Sequence, residues 1–384
     1  MTKLLLLLGL AVSLSWGQAW NVACSGTGTT CGGSSTFRAR GYNYRTPWDS
    51  VNQCFLYYGG VSSDISIYSE SLWCYADGAV TQKFFTGSSS NADCAQNGAP
   101  GNTHNPLLGH PQGYFWFQSG GLYMTLQLCQ GNWMGYTTRW DATDNSRTLL
   151  SVAPATSGAG TYDAIANNFQ LCDYVASYGK AICGPSSATT SFRMYEFDGS
   201  AYTNISGSVT GSMPLPMSAP GWATDGAYIW QYGGCNGTAP GNSAGTPCNG
   251  VKINDLYRYD PVAKSWTLIS PVGGTKPPST YSSYPFFAYD SRRARLLLYV
   301  GSNSLWQYSI AANQWSEITT TGGFAMTDST PLQNGNGNTA GYDPLRDRLV
   351  LTYPHSGQSS PPAIYEIGFS VGAGTRSGGG VWSR

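Results

Sequence analysis

Short apolar and polar runs alternate along this chain, and the alternation itself recurs. From Pro285 the stretch PFFAYDSRRARLLLYVG reads as an apolar strand, a polar turn and a second strand rich in Leu and Val. The same shape returns in TAGYDPLRDRLVLTYP from Thr339 and, with a shorter turn, in GWATDGAYIWQYGG from Gly221. It returns again in YDAIANNFQLCDYV from Tyr162, GYFWFQSGGLYMTLQLC from Gly113 and WDSVNQCFLYYGG from Trp48. The turns are anchored by Asp49, Ser119, Asp163, Asp225, Asp290 and Asp343. An Asp at this point caps the turn through nearby backbone amides. A third strand follows each pair: SLWCY, YTTRW, FRMYEF, DLYRYD, SLWQYS and AIYEI. A fourth is marked where Tyr259 is followed by Trp266 and Tyr308 by Trp315; Gln82, Arg147 and Asn204 hold the Trp position in other copies. The pattern predicts an all-β chain of four-stranded antiparallel units repeated six times. One such sheet cannot bury both of its faces, but a radial ring of sheets can. The expectation is a six-bladed β-propeller, with seven blades as the alternative.

Particular motifs sharpen this. Tyr58-Gly59-Gly60 and Tyr232-Gly233-Gly234 end second strands, and Tyr259/Trp266 and Tyr308/Trp315 share one spacing. In these features the chain resembles the kelch and galactose-oxidase-like propeller superfamily over roughly residues 40–370. The double glycine is replaced at Val300-Gly301 and at Tyr353-Pro354. The resemblance implies a propeller fold. Galactose-oxidase relatives would also imply a copper-radical site with adjacent histidines and a tyrosine cross-linked to cysteine. This chain has no His-His pair, so no copper, other metal or cofactor is expected.

The first residues break the repeat. Lys3, the apolar run Leu4–Leu14 and the small-x-small triplet Gly17-Gln18-Ala19 have the pattern of a secretory signal. Residues 1–19 are read as that signal and 20–384 as a single propeller domain. The run is too short to span a bilayer, and no later segment approaches 18 consecutive apolar residues. A secreted protein is expected, extracellular or periplasmic, without a membrane span. The ring is expected to close when Ala19–Cys24 supplies the fourth strand of blade 6. Val381–Arg384, with Trp382, is the alternative.

Ten cysteines fit an oxidising compartment. The expected bridges are Cys24–Cys31, Cys54–Cys74, Cys94–Cys129, Cys172–Cys183 and Cys235–Cys248. Cys54 and Cys74 are expected to face each other across the ladder, and Cys172–Cys183 to clip a long loop of blade 3. Formal net charge is zero and only 10% of residues are charged, so no basic stripe offers itself to nucleic acid. Aromatics make up 14% of the chain, which argues against disorder.

Chemistry is sparse. The long, variable connections, among them 61–70, 87–112, 179–190, 235–253 and 354–362, are expected on one face of the ring, where propellers bind ligands. His104, His110 and His355, the three histidines, fall on that face. They read either as a metal site or a general acid/base site, or as three unrelated surface or capping side chains. The four Glu residues read as solvated strand residues, and no paired-carboxylate glycosidase signature occurs. Trp133, Tyr136, Tyr178, Tyr281 and Tyr284 lie in or beside long loops among many Asn residues, a composition that suits sugar rings. Asn204-Ile-Ser and Asn236-Gly-Thr are acceptor sequences for glycosylation in a host that glycosylates. Three functional classes follow. The first is a recognition module for an extracellular glycan or protein partner. The second is a carbohydrate-active enzyme of lyase or epimerase type, with His110, His355 or a tyrosine as base and Arg45 or Arg139 neutralising charge. The third is a structural filament or surface-layer component.

Overall fold

The structure, a computed structural model, describes residues 18–25, 46–59, 68–89, 115–126, 136–150, 171–184, 194–214, 220–236, 251–278, 285–301, 303–323, 339–353 and 363–369. Among the described residues there are strands and turns but no α-helix. Two short strands come first, β1 (Gln18–Ala19) and β2 (Asn21–Ser25). Blade 1 is β3 (Trp48–Asp49), β4 (Cys54–Gly59), β5 (Tyr68–Ala76) and β6 (Ala79–Ser89). Blade 2 is β7 (Phe115–Gln118), β8 (Gly121–Leu126), β9 (Tyr136–Asp141) and β10 (Arg147–Leu150). Blade 3 is β11 (Cys172–Val175), β12 (Lys180–Cys183), β13 (Tyr195–Phe197) and β14 (Tyr202–Asn204). After the two-residue β15 (Thr210–Gly211), blade 4 is β16 (Gly221–Thr224), β17 (Ile229–Asn236), β18 (Val251–Asp260) and β19 (Ser265–Ile269). Blade 5 is β20 (Phe286–Asp290), β21 (Arg295–Gly301), β22 (Ser304–Ser309) and β23 (Gln314–Thr321). Blade 6 is β24 (Thr339–Asp343), β25 (Arg348–Tyr353) and β26 (Ala363–Gly368).

These strands form six sheets; within each blade the strands just given run antiparallel in sequence order, and the six are arranged as a six-bladed β-propeller. The N-terminal strand closes the ring as expected: β2 pairs antiparallel with β26, Asn21 opposite Glu366 and Ser25 opposite Ala363. Blades 4 and 5 each gain a fifth, parallel strand on their outer edge. β15 lies along β19, and β1 lies along β23.

Local chemistry fixes the hairpins. Asp49, Asp225, Asp290 and Asp343 each end an innermost strand, and one carboxylate oxygen of each accepts the backbone N–H groups two and three residues on. Each is a short turn headed by an Asp whose side chain satisfies backbone amides that the ladder leaves free; in the Asp225 copy the next residue is Gly226, at positive φ. The fourth turn residue is left-handed in several copies, as at Gln53, Ala294 and Asp347. Asp198 and Asp260 repeat the cap in the turns between third and fourth strands. At the far end of β17, Gly233 and Gly234 take positive φ where the ladder to β18 slips by a residue. This bulge gives the double-glycine motif its physical reason.

The core is a set of seams between blades. Six buried clusters occupy the six seams, each drawing residues from two neighbouring blades. β21 explains the continuous apolar runs. Leu296 and Leu298 face blade 4, while Leu297 and Tyr299 face blade 6, so all four are buried. The seam from blade 6 to blade 1 is so close that a Cβ on Gly341 would lie 2.2 Å from Phe55 Cε1.

Four expectations need correction. In blade 3, Cys172–Val175 is the innermost strand, not the second, and the expected anchor Asp163 lies outside the described residues. The turn there is Ala176–Gly179, closed by backbone bonds to Val175 O, and the stretch taken as a loop from 179 contains β12. Cys172 and Cys183 therefore bridge directly across the β11–β12 ladder instead of clipping a loop. Cys54 and Cys74 do bridge, with Cα atoms 5.5 Å apart, but diagonally, since Cys74 is paired with Leu56. Gln82 pairs with Trp73 and Asn204 with Tyr195, because tighter turns there shift the register assumed from the Tyr–Trp spacing. The expected bridges of Cys24, Cys94 and Cys235 lie outside the side chains that are described.

Candidate ligand face

Strand direction divides the ring into two faces. Turns between first and second strands, and between third and fourth, all emerge on one face, and none is longer than Ala142–Ser146. The strand ends that bracket the remaining connections, including 90–114, 151–171, 237–250 and 322–338, lie on the other face. β6 ends and β7 begins on this long-connection face, and His104 and His110 lie in the segment between them. His355 follows β25, which also ends there. The histidines themselves lie outside the described residues, as do Arg45, Trp133, Tyr281 and Tyr284. Tyr136 opens β9 on the long-connection face.

Two expected site residues sit elsewhere. Tyr178 lies in the short β11–β12 turn, on the opposite face from the long connections, where its hydroxyl donates to Glu196 Oε1 at 2.7 Å. Arg139 lies in the turn-proximal half of β9, its guanidinium 2.8 Å from Asp141 Oδ2 and beside the Tyr123 ring. That geometry buttresses a turn and leaves Arg139 away from the strand ends that bracket the histidines.

The short-turn face is electrostatically committed to holding blades together. Glu196, 3% exposed, receives Tyr178, Lys180 Nζ at 2.8 Å and, from blade 4, Lys264 Nζ at 3.5 Å. Burial pushes its carboxyl up, but the bonds from Lys180 and Tyr178 and the Lys180 and Lys264 charges outweigh this and hold it low. Between blades 5 and 6, Arg293 donates to both oxygens of Asp347 at 2.6 and 2.7 Å and to Asp290 Oδ2 at 3.1 Å. The Arg293 bonds bring the Asp347 carboxyl down to about 2 against the opposing effect of burial. Between blades 6 and 1, the Tyr75 hydroxyl donates to Glu366 Oε1 at 2.8 Å, and Arg348 bridges Glu366 and Asp77. Burial, then the Glu366 charge, drive the Tyr75 phenol upward.

Glu196 and Glu366, expected to be solvated, are both buried and paired across or beside seams. One signal was available. Each lies on a third strand, and a strand buried on both faces has no solvated side. Glu317, by contrast, is exposed and accepts from Ser304 Oγ at 2.6 Å.

Polar groups on the long-connection side of blades 4 and 5 are tied more loosely. Lys276 pairs with Asp255 at 2.8 Å, and Asn254 donates to Pro277 O at 3.2 Å. Asn204 is exposed at the end of β14. Among the described residues no group of three or more His, Cys, Asp or Glu side chains could hold a metal ion.

Fold and site together define a six-bladed β-propeller with disulfide-bridged blades, neutral overall, whose short-turn face is locked and whose other face carries the strand ends that bracket the long connections. The chain matches no protein-family model and no curated protein.

Proposed function

We propose that this chain is an exported recognition module that binds an extracellular glycan or protein partner on the long-connection face. The observation that supports this reading is the asymmetry of the ring. Buried carboxylates near the short turns are taken up by backbone amides of their own turns and by cations and phenols, among them Lys264, Arg293 and Tyr75, which join neighbouring blades. The strand ends that bracket the long connections lie on the other face, and a long connection costs entropy to order, which binding or cross-linking would offset. The Cys54–Cys74 and Cys172–Cys183 bridges fit an oxidising compartment. No helix among the described residues is long and apolar enough to cross a membrane.

The test is a glycan array and a binding screen on the exported full chain, followed by two variants. One replaces His110 and His355 together with Ala. The other replaces Ser291–Ala294 in a short turn. Ligand binding should fall with the histidine pair and stay unchanged with the turn. The reverse pattern would put the ligand on the wrong face for this reading. Turnover of a bound sugar, lost in His110→Ala while binding persists, would make the protein an enzyme instead.

A further inference from the structure

The start of the folded ring carries more information than its pairing with blade 6. Two small-x-small triplets overlap after the apolar run Leu4–Leu14: Ser15-Trp16-Gly17 and Gly17-Gln18-Ala19. Both satisfy the small-residue pattern of a signal-peptide cleavage site, so sequence does not choose between them. The fold does. Gln18 and Ala19 form β1, in register with Thr320 and Thr321 on the outermost strand of blade 5. The Trp20 N–H donates to Thr321 O at 2.9 Å, and its indole donates to Thr320 Oγ1 at 3.2 Å. The Trp20 ring is 7% exposed and meets Tyr299 edge-on at 5.0 Å.

Cleavage after Ala19 would remove β1 and turn the Trp20 amide into an α-ammonium group at a buried residue, which disfavours the charged form. Cleavage after Gly17 leaves every one of these bonds in place. The ring offers an internal precedent. β15 makes the same two-residue parallel pair with the outer strand of blade 4, so such strands are a regular way of covering an exposed sheet edge here.

We propose that the mature chain begins at Gln18 and that this residue closes to pyroglutamate, giving blade 5 a neutral, blocked edge strand. The inference rests on the exported reading above. In the reaction the freed α-nitrogen attacks the side-chain carboxamide carbon of Gln18. A new C–N bond forms a five-membered lactam, the bond from Cδ to Nε2 breaks, and the α-nitrogen's proton leaves with that nitrogen as ammonia. No oxidant or co-reactant is required. The Gln18 carboxamide oxygen accepts no hydrogen bond, so no such bond has to break when the side chain folds back. The product loses the terminal positive charge and withstands ordinary aminopeptidases on the segment leading into the strand that closes the ring.

The experiment expresses the full chain with its own leader in a secreting host and reads the N-terminus of the exported protein. Peptide mass spectrometry should find the peptide starting at Gln18 lighter by one ammonia. Edman degradation should be blocked until pyroglutamyl aminopeptidase is added. Gln18→Ala should expose a free α-amine. A mature chain starting at Trp20 would overturn this inference while leaving export intact. A retained leader would overturn the exported reading with it. Gln18 that keeps a free amine after prolonged incubation would refute the cyclisation. As an independent readout, a chain engineered to start at Trp20 should melt below one starting at Gln18, and equal melting would contradict the role given to β1.

Discussion

Arg293→Ala tests whether the seams are held as described. Arg293 sits in the β20–β21 turn and spans two carboxylates from different blades, Asp290 and Asp347, whose side chains are 0% and 4% exposed. Without it, Asp290 keeps Arg295 at 2.8 Å, and Asp347 keeps the Tyr342 hydroxyl at 2.6 Å and Arg292 at 3.9 Å. Holding Asp347 at about 2 instead of 3.8 stabilises the folded state. At about 1.4 kcal/mol per pH unit, the contribution is about 2 kcal/mol. Removing one partner of a fully buried pair costs about 3–5 kcal/mol. Because Arg293 is itself a third exposed and both acids keep a second partner, a loss of about 2–3 kcal/mol is expected. Urea denaturation at pH 7 measures it directly, and a pH series checks its origin. A carboxyl lowered in the folded state stabilises above its unfolded pKa, and that stability is lost as pH falls through the folded value. The gap between wild type and variant should be full at pH 7, shrink below about pH 4 and nearly close near pH 2. Asp347→Asn combined with Arg293→Ala should cost little more than the larger single change. A gap under about 0.5 kcal/mol, or one that is flat with pH, would refute the argument.

Three further outcomes are expected. Gly341→Ala drives a methyl into Phe55 at 2.2 Å and should cost about 1–3 kcal/mol by overpacking; Phe55→Leu in the same chain should recover part of the loss in a melting curve, and no recovery would place the strain elsewhere. Replacing Cys172 and Cys183, or Cys54 and Cys74, by Ala should each cost about 3 kcal/mol in urea unfolding, slightly more for the second pair because its loop of 20 exceeds 11; unchanged midpoints would mean that neither bridge restrains the unfolded chain. Deleting residues 18–25 removes both β1 and β2 and exposes β26 and β23 as edges. The product should aggregate or lose cooperative unfolding, whereas a monomeric, cooperative product would show that the ring closes by other means.

Short-range chemistry sets those features of the fold that are legible in the chain alone. Asp49, Asp225, Asp290 and Asp343 head turns because a carboxylate reaches amides two and three residues away in any context. Tyr259 pairs with Trp266 and Tyr308 with Trp315 because a four-residue turn sets that register. Six such units, with an N-terminal segment patterned like a strand, were enough for blade number and ring closure. Blade 3 was misplaced by one strand because its first turn, Ala176–Gly179, has no Asp to mark it. Which residues meet across a seam depends on the closed ring. Arg293 meets Asp347 from 54 residues away and Tyr75 meets Glu366 from 291. Gly341 is small because Phe55 of the other end of the chain packs onto it. Tyr178 and Arg139 share the composition of a binding loop, yet they buttress turns, because the direction of their strands sends them to the opposite face. Periodicity states that a residue is buried or exposed within its own hairpin. Which partner it finds depends on how six sheets close into a circle, and no local pattern encodes that angle.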